Sequence, residues 1–397
     1  PKAAVLRVKL LRKSVDARKK QDVHFVCGAA VQVQGSEARV MGRLRDGAVM
    51  VYEEYKYELP KAPPPNDPPL VVGFGPAGMF AGLILARCGQ KPIIIERGQP
   101  VEQRELSVRE FWAGGRLDPQ SNVQFGEGGA GAFSDGKLNT GTGDARIRKV
   151  LEELAAAGAP PEILTDAKPH IGTDKLPGVV KNIRREIIRL GGQVRFSTRL
   201  TGIRQEGGRL TGAWARQEGG GEELLPCSGL ILAVGHSARD VFSLLEGMRI
   251  PMQPKAFSVG VRIEHRAELI DRAQYGRFAG NQELGAADYK LNTRLKNGRG
   301  VYTFCMCPGG YVTGAASEPG GIVTNGMSPY RRDGENSNSA VLVGVGPEDF
   351  GGDGPLCGVE FQREIERRAY EYTGGYLAPA QRAADFLAGV KSGGFGE

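Results

Sequence analysis

One segment constrains the fold of this chain more than any other: Val71-Val72-Gly73-Phe74-Gly75-Pro76-Ala77-Gly78. Its apolar start predicts a short buried strand, and the Gly-x-Gly-x-x-Gly pattern that ends it leads into an apolar helix over residues 76–88. A second apolar strand, residues 92–96, ends in Glu96, about 20 residues after the glycines. Strand, glycine turn, helix, strand and terminal acid in this order predict a dinucleotide-binding βαβ unit.

Each glycine of the pattern has a predicted role. Gly73 permits the tight turn, Gly75 lets the backbone approach a pyrophosphate, and Gly78 lets the helix pack closely against the sheet. The helix N-terminus attracts phosphate through its N–H groups and partial positive charge, and Glu96 is expected to hydrogen-bond a ribose hydroxyl. Because the chain has 59 glycines, the pattern alone could be a plain structural turn, but the surrounding elements favour the dinucleotide site.

The composition is that of a globular protein with more than one domain. Hydrophobic residues make up 40% of the 397 residues and charged residues 24%, which is sufficient for two or three cores. The apolar runs are too short to cross a bilayer and no signal peptide is visible, so a cytoplasmic protein without a membrane partner is predicted. Scattered cysteines and ungrouped histidines predict neither a disulfide framework nor a metal site.

The formal net charge of +7 has two interpretations. It could attract nucleic acid, an anionic membrane surface or acidic metabolites, or it could be the mild bias of an ordinary soluble enzyme. Basic residues cluster over residues 7–20, but they lack the interleaved aromatic residues that stack on nucleic-acid bases. The sequence therefore favours the second interpretation and disfavours nucleic acid as a partner.

The order of the predicted elements divides the chain into three parts. Residues 1–62 are predicted to form a small basic α/β domain, followed by a proline-rich linker over residues 61–69. Residues 69–256 are predicted to form a Rossmann-like dinucleotide-binding domain with a β-meander, and residues 257–397 a mixed α+β substrate or cap domain. The predicted fold class is therefore α/β.

Hydrophobic periodicity and turn residues predict the remaining elements. A hairpin is predicted around Gly207 and Gly208, and a later strand ends before Gly235, whose turn would lie beside the pyrophosphate. Further strands are predicted over residues 3–11, 23–33, within 38–57, 193–203, 229–234, 256–263, 301–307 and 340–345, and further helices over residues 144–158, 178–191 and 358–370.

Residues 122–138 are rich in glycine and polar side chains, a composition that disfavours a regular element. One interpretation is a flexible surface loop. The other is a ligand loop, which Phe125, Phe133 and Leu138 would anchor while backbone N–H groups approach a flat or anionic ligand. The anchoring side chains favour the ligand loop.

Several motifs spread over almost the whole chain are shared with a known family, at residues 13–20, 72–78, 96–98, 122–138, 168–176, 235–240, 303–310, 325–328 and 381–382. In these motifs the chain resembles the uncharacterised FAD-dependent dehydrogenases, a bacterial branch of the glutathione-reductase-like, two-dinucleotide-binding flavoproteins. The resemblance implies an FAD cofactor and an oxidoreductase, but it implies no particular substrate. A closing Gly-Glu or Gly-Asp segment is not found before Glu397, so the resemblance predicts a C-terminally truncated chain.

The resemblance also implies which residues contact FAD. Glu96 would hold the adenosine ribose, Arg97 would lie near the adenine or the pyrophosphate, and the loop over residues 126–137 would follow the pyrophosphate and the flavin ring. Lys137 would place a positive charge beside the flavin N1, or would otherwise be a solvated lysine. The implied FAD-binding residues are Gly73, Gly75, Pro76, Ala77, Gly78, Glu96, Arg97, Gln124, Gly126, Gly128, Gly129, Ala130, Gly131, Lys137, Ala233, Gly235 and His236.

The sequence leaves the catalytic residues unknown and offers three candidates. Cys305 and Cys307 could be a redox pair or a nucleophile near the flavin, because alternate residues of a strand share one face, or they could be core residues. His236 could act as an acid or base, or it could hold its turn. Arg239 and Arg262 could bind an anionic substrate. The role of His170 is open.

Three hypotheses of function follow. The first is an FAD-dependent oxidoreductase that transfers a hydride between the flavin and an unidentified small-molecule substrate. Because the sequence has a single dinucleotide pattern, any NAD(P)H would visit the cap transiently. The alternatives are a flavin-dependent RNA-modifying enzyme, suggested by the basic N-terminal part, and an FAD-binding sensor or scaffold without turnover. The oligomeric state stays open.

Overall fold

The chain begins with an antiparallel hairpin. The computed structural model describes residues 4–44 and 47–394, and within them β1 (Val5–Asp16) pairs with β2 (His24–Val33). These strands confirm the two strands predicted for this part of the sequence, although the first extends further than expected.

The prediction of further strands within residues 38–57 is wrong for the described part of that segment. A short helix, α1 (Glu37–Met41), forms instead, and irregular chain follows it. The hydroxyl of Ser36 accepts a hydrogen bond from the Arg39 backbone N–H at 3.3 Å, and an acidic residue occupies the first turn. A serine N-cap before an acidic first turn favours a helix over a strand. Residues 45–46 lie outside the described residues.

The middle of the chain forms a parallel sheet with helices and an antiparallel meander around it. Its elements are β3 (Leu70–Val72), α2 (Pro76–Arg87), β4 (Ile93–Ile95), α3 (Val101–Trp112), α4 (Ile147–Ala156), α5 (Leu176–Arg189), β5 (Gln193–Arg195), β6 (Thr198–Glu206), β7 (Arg209–Gln217), β8 (Glu222–Pro226), β9 (Leu230–Leu232) and α6 (Arg239–Gly247). The parallel sheet has the order β5-β4-β3-β9, and β6, β7 and β8 form the meander. The predicted βαβ unit is confirmed in β3, α2 and β4.

Alternate residues of the parallel strands face two separate cores. Val71 and Ile94 pack in a cluster with buried side chains of α2 and α5. Leu70, Val72 and Ile95 pack on the other side, in a cluster with the meander and α6. Because both faces of the sheet are covered, its strands are continuous apolar runs in the sequence.

The single strand predicted over residues 193–203 is wrong, because this segment contains two strands of different sheets. β5 lies beside β4 in the parallel sheet, and β6 begins the meander. Between them Ser197 adopts a positive φ of 49°, and the Thr198 N–H donates to the Glu96 carbonyl oxygen at 2.9 Å. The chain therefore leaves the parallel sheet at Ser197. Periodicity did not show this break, since both strands satisfy the same alternating pattern.

The C-terminal part is built on a four-stranded antiparallel sheet. Its elements are β10 (Phe257–Arg266), α7 (Ala267–Tyr275), β11 (Asn292–Arg294), β12 (Gly300–Cys307), β13 (Tyr311–Ala315), β14 (Val323–Met327), β15 (Asn336–Val345), α8 (Cys357–Thr373) and α9 (Ala383–Ala388). The sheet has the order β10-β15-β12-β11, and β13 pairs with β14 in a separate ribbon. The three strands and the helix predicted here are confirmed. Within residues 4–44 and 47–394, no helix has the length and hydropathy needed to cross a membrane.

Two glycines allow α2 to lie close to the sheet. Gly73 adopts a φ of +96°, and a Cβ there would lie 2.4 Å from the carbonyl oxygen of Ala233. A Cβ at Gly78 would lie 1.9 Å from the carbonyl oxygen of Gly73. No side chain fits at such distances from backbone, so both positions require glycine, as the pattern predicts.

The substitution Gly78→Ala tests this packing. It should lower the free energy of unfolding by more than about 2 kcal/mol, because the added methyl group forces α2 away from the Gly73 carbonyl. Gly178→Ala in α5 is the matched control, since a Cβ there meets nothing within 4 Å and alanine should stabilise the helix by about 0.5–1 kcal/mol. Urea unfolding followed by circular dichroism measures both. Equal stabilities of the two variants would show that the close approach is unimportant.

Candidate functional site

A cleft of about 500 Å³ opens at the carboxyl ends of β3, β4 and β9. Parallel sheets carry their ligand sites at this edge. The N-terminus of α2, the Gly-rich loop and the turn after β9 form its walls. Most of the residues implied by the resemblance line the cleft: Gly73, Gly75, Pro76, Ala77, Glu96, Arg97, Gln124, Gly126, Gly129, Ala130, Gly131, Ala233, Gly235 and His236. Gly78, Gly128 and Lys137 lie outside this lining.

The glycine turn presents bare backbone to the cleft. Gly75 is the N-cap of α2 without a side-chain hydrogen bond, and Pro76 occupies the first helical turn. The first N–H groups of a helix lack intrahelical acceptors, so they and the helix dipole favour an anion at this point. Gly129 faces Gly75 from the opposite wall, where a Cβ on Gly129 would lie 3.0 Å from the Gly75 Cα. Side chains at this place would narrow the cleft.

The carboxylate of Glu96 lies buried at the cleft and accepts three backbone hydrogen bonds. Its Oε2 accepts from the Phe74 N–H at 2.7 Å, and its Oε1 accepts from the N–H groups of Gly98 at 2.9 Å and Gly126 at 3.0 Å. One side chain thus joins the glycine turn, the end of β4 and the Gly-rich loop. A carboxylate offers about four acceptor sites, so Oε2 retains one. The predicted bond to a ribose hydroxyl stays a prediction.

Arg97 links the end of β4 to α6 beside the cleft. Its guanidinium forms a bidentate pair with Asp240, at 2.9 and 3.0 Å, and donates twice to Gln120 Oε1, at 3.0 and 3.1 Å. The group also lies over the Phe125 ring, 4.3 Å from its centroid. Because carboxylate and amide oxygens already take its donors, Arg97 is better suited to stack on a flat ligand than to neutralise a phosphate.

The Gly-rich loop is held by Arg104, a residue that sequence reasoning missed. The fully buried guanidinium donates to four carbonyl oxygens of the loop, those of Asn122 at 2.8 Å, Val123 at 3.0 Å, Glu127 at 2.7 Å and Gly129 at 2.9 Å. Burial lowers the pKa of Arg104 to about 10, so the group is charged at neutral pH. Its place on the buried stripe of α3 was the available signal, because a buried charge requires partners.

A second buried charge ties the same loop to two helices. Glu127 Oε2 accepts a hydrogen bond from the Val101 N–H at 2.8 Å, at the start of α3, and lies 3.1 Å from Arg184 Nη1 of α5. Burial raises the pKa of Glu127 to about 7. Together with Arg104, Glu127 leaves the loop little freedom, so the interpretation as a flexible surface loop does not hold.

A pair of cysteines lies outside the cleft, in the C-terminal part. The sulfur atoms of Cys305 and Cys307 on β12 are 4.0 Å apart. Lys137 Nζ lies 4.0 Å from Cys307 Sγ, and Arg262 donates from both terminal nitrogens to the Cys305 carbonyl oxygen, at 3.1 and 3.3 Å. The strand is irregular here, because its register against β15 shifts between Phe304 and Cys307.

The two thiols differ in acidity. A hydrogen bond between the two thiols lowers the pKa of Cys305; burial opposes this effect, while the positive charges of Lys137 and Arg262 support it. The same hydrogen bond and burial raise the pKa of Cys307, whose thiol also donates to the Cys305 carbonyl oxygen at 3.3 Å. Cys305 is therefore the more acidic thiol of the pair.

Lys137 belongs to the cysteine pair and not to the cleft lining. Its ammonium group pairs with the buried carboxylate of Asp135, which also accepts from Arg332 at 2.6 and 3.2 Å. His170 lies in the same region, bridged to Lys137 through the backbone and with its Nε2 2.9 Å from the Tyr330 carbonyl oxygen. The predicted place of Lys137 beside the flavin N1 stays a prediction.

The remaining candidates, His236 and Arg239, have different surroundings in the structure. His236 lies exposed at the cleft, with Nε2 3.5 Å from Ser237 Oγ, which is a marginal contact. The expectation that Arg239 binds an anionic substrate is wrong, because its guanidinium donates at 2.6 Å both to Glu318 and to Glu366. These two carboxylates neutralise Arg239 and connect α6 to the C-terminal part.

Comparison with known proteins assigns a cofactor to this chain. Residues 256–397 match the family described as FAD-dependent protein, C-terminal domain-like. Over 392 residues the chain is 48% identical to an uncharacterised protein of Clostridium beijerinckii, in an alignment that covers 97% of this chain and 72% of that protein. The chain belongs to this family of FAD-dependent proteins. FAD is therefore its cofactor.

Several solved flavoproteins are distantly similar to the chain. A myxobacterial chondrochloren halogenase, a variant of FAD-dependent halogenases, is 14% identical, with 80% of this chain and 61% of that chain covered and a TM-score of 0.38. A glycerol-3-phosphate dehydrogenase from Bacillus halodurans complexed with FAD is 12% identical, with 79% and 54% covered and a TM-score of 0.36. This chain spans less than two thirds of each, and these values are too low to transfer a reaction.

The cleft fits FAD on three observations. The bare backbone at the N-terminus of α2 suits a pyrophosphate. Glu96 Oε2 has acceptor capacity left for a ribose hydroxyl. Gln124 Oε1 is buried at the cleft wall without a hydrogen-bond partner among the described residues, as expected of a group whose partner is a ligand. These residues and the glycines that face them would hold FAD.

The substitution Arg104→Lys tests whether Arg104 holds the Gly-rich loop in place. A lysine cannot reproduce the fork of donors, so the variant should lose about 3 kcal/mol of unfolding free energy and bind FAD at least about tenfold more weakly. Arg109→Lys, on the exposed face of the same helix, is the matched control and should change stability by less than about 0.5 kcal/mol. Urea unfolding and FAD titration measure both effects. If the unfolding free energy and the FAD affinity of Arg104→Lys equal those of Arg109→Lys, Arg104 does not hold the loop.

The acidity of Cys305 predicts its rate of alkylation against pH. Because the thiolate is the reacting form, iodoacetamide should label Cys305 half-maximally at a lower pH than a free cysteine model compound, which does so near about pH 8.5. Cys307→Ala removes the hydrogen-bond donor and should shift the profile of Cys305 to higher pH. Peptide mass spectrometry follows the labelling. A profile that is unchanged in Cys307→Ala would exclude the thiol–thiolate hydrogen bond.

Proposed function

We propose that this chain is an FAD-dependent oxidoreductase of the dehydrogenase type, related to glutathione-reductase-like flavoproteins, which exchanges a hydride with a small-molecule substrate. The observation that carries the proposal is the glycine-lined cleft at the carboxyl ends of the parallel strands, in a chain of an FAD-dependent family. When bound, FAD supplies the two-electron acceptor chemistry that protein side chains lack.

In this proposal the protein positions the cofactor mainly with backbone. The N-terminus of α2 binds the pyrophosphate, and Glu96 orients the ribose while its other bonds keep the carboxylate fixed. Arg97 stacks on the flat adenine, since Asp240 and Phe125 hold its guanidinium in place. Arg104 keeps the Gly-rich loop in place beside the site.

The substrate would lie toward the C-terminal part of the chain. Asn338 is fully buried, and neither of its side-chain polar atoms has a hydrogen-bond partner among the described residues. The Thr313 hydroxyl is buried without a partner there as well. Buried polar atoms without partners are costly, but these two side chains lie outside the cleft lining and do not define the substrate, which is proposed only as a small molecule. A nicotinamide nucleotide would act as a transient reductant or acceptor.

Reduction of the bound flavin tests this function. FAD-loaded protein is mixed without oxygen with NADH or NADPH, and the loss of visible flavin absorbance is followed in a stopped-flow instrument. At least one nucleotide should reduce the bound flavin about tenfold or more faster than it reduces free FAD. Arg109→Lys should behave as the unaltered protein, because this residue lies on an exposed helix face away from the cleft lining.

A cleft variant completes this experiment. Gly75→Val fills the space toward Gly129, whose Cα already lies 3.6 Å from a Cβ placed on Gly75. The variant should lose both FAD binding and flavin reduction. If bound flavin is reduced no faster than free FAD by either nucleotide, the proposal of a nicotinamide-linked dehydrogenase is overturned.

A further inference from the structure

The sulfur atoms of Cys305 and Cys307 on β12 lie closer together than alternate residues of a regular strand. Alternate residues of a regular strand are about 6.6 Å apart along the chain, yet Cys305 Sγ and Cys307 Sγ are 4.0 Å apart. A disulfide needs an S–S distance about 2 Å shorter than this, a change within reach of side-chain rotation. Only one residue, Met306, lies between the two cysteines in the sequence. No other element therefore separates the two sulfurs.

The backbone brings the sulfurs together through an unusual conformation. Cys305 adopts a φ of +45°, in the left-handed region that disfavours residues with a Cβ. The register of β12 against β15 shifts at this point, as in a β-bulge, and bulges re-aim side chains. A strained residue that persists at a pair of reactive side chains supports a functional role for the pair.

Positive groups surround the pair and support a thiolate. Lys137 Nζ lies 4.0 Å from Cys307 Sγ, and the guanidinium of Arg262 lies against the Cys305 carbonyl oxygen. Asp135 partly neutralises Lys137 but is shared with Arg332, so these three groups carry a net positive charge. Reactive cysteines occur in such electropositive, partly exposed surroundings.

The two sulfurs differ in access. Cys307 is fully buried, whereas Cys305 is partly exposed. An incoming molecule can therefore reach the sulfur of Cys305, while Cys307 can reach only its neighbour. This arrangement is that of an attacking and a resolving cysteine.

We propose that Cys305 and Cys307 form a thiol–disulfide exchange site for small-molecule disulfides. In the first step the thiolate of Cys305 attacks one sulfur of the substrate, R–S–S–R; a Cys305–S–S–R bond forms, and RS⁻ leaves with the electron pair of the broken bond and takes up a proton. In the second step the Cys307 thiol loses its proton and attacks Cys305 Sγ, which forms the Cys305–Cys307 disulfide and releases the second RS⁻. The substrate gains two electrons from the two cysteines and two protons, one from the Cys307 thiol and one from the solvent.

This inference goes beyond the proposed function, because the exchange needs no flavin. It identifies a second reactive site, on β12, with a substrate class of its own. Oxidised glutathione serves as the probe, and one tryptic peptide reports on both cysteines, since residues 300–331 contain them and no other cysteine. The peptide over residues 21–39 contains only the exposed Cys27 and provides an internal reference.

The whole chain, with FAD bound, is incubated with oxidised glutathione at pH 7, quenched with acid and digested. The peptide over residues 300–331 should become two hydrogen masses lighter, at a rate at least about tenfold above the glutathionylation of Cys27. In Cys307→Ser this peptide should instead retain one glutathionyl group on Cys305. In Cys305→Ser it should stay unmodified over the same time.

Two outcomes overturn the proposal, and both are visible in the unaltered protein or in matched variants. In the first outcome, the peptide over residues 300–331 stays reduced while Cys27 reacts. In the second, Cys305→Ser and Cys307→Ser accept glutathione equally. The first outcome needs no variant, so a folding defect of a variant cannot hide it. Because the readout is the mass of a peptide, the result is independent of whether the bound flavin is reduced by a nicotinamide nucleotide.

Discussion

The buried guanidinium of Arg104 is the interaction on which the rest of the cleft depends. The Gly-rich loop has carbonyl oxygens that face the protein interior, and buried backbone polar groups need partners. Arg104 donates to four of them, and Glu96 accepts from three N–H groups, one each in the glycine turn, after β4 and in the loop. The loop contains one short 3-10 helix, Gly129–Phe133, and mostly outside it these two charges supply partners that a helix or strand would have supplied. The loop can therefore present glycine backbone to a ligand and still be fixed in place.

This arrangement explains why one wall of the cleft is bare backbone. Gly73 and Gly78 bring α2 against the sheet, and Gly129 approaches Gly75 across the cleft, so backbone forms the surface around the N-terminus of α2. The cysteine pair lies elsewhere, in the C-terminal part of the chain. Arg239, held by two carboxylates, connects the helix after the cleft to that part. The cleft that fits FAD and the cysteine pair thus lie in separate regions of the chain.

The βαβ unit and its cleft residues Gly73, Gly75 and Glu96 could be predicted because their signals are local: an apolar strand, glycines at fixed spacing and a helix in direct succession. The cleft residues of the Gly-rich loop and His236 were implied by the family resemblance, and those of the meander and α6 were not predicted. The hydrogen bonds between Arg104 and the loop could not be predicted, since their acceptors are backbone carbonyl oxygens, which any sequence would supply. The break at Ser197 and the shifted register at Cys305 are backbone events that leave the alternating pattern unchanged. Lys137 lies beyond the cleft because the loop turns away after Gly131, a direction that composition does not determine.

The most direct measurement is a crystal structure of this protein with FAD bound. We expect the pyrophosphate at the N-terminus of α2, a ribose hydroxyl within hydrogen-bond distance of Glu96 Oε2, and a contact between FAD and Gln124 Oε1, with the four bonds of Arg104 unchanged. FAD bound at another place, or bound in the cleft only after the Gly-rich loop has left Arg104, would contradict this expectation.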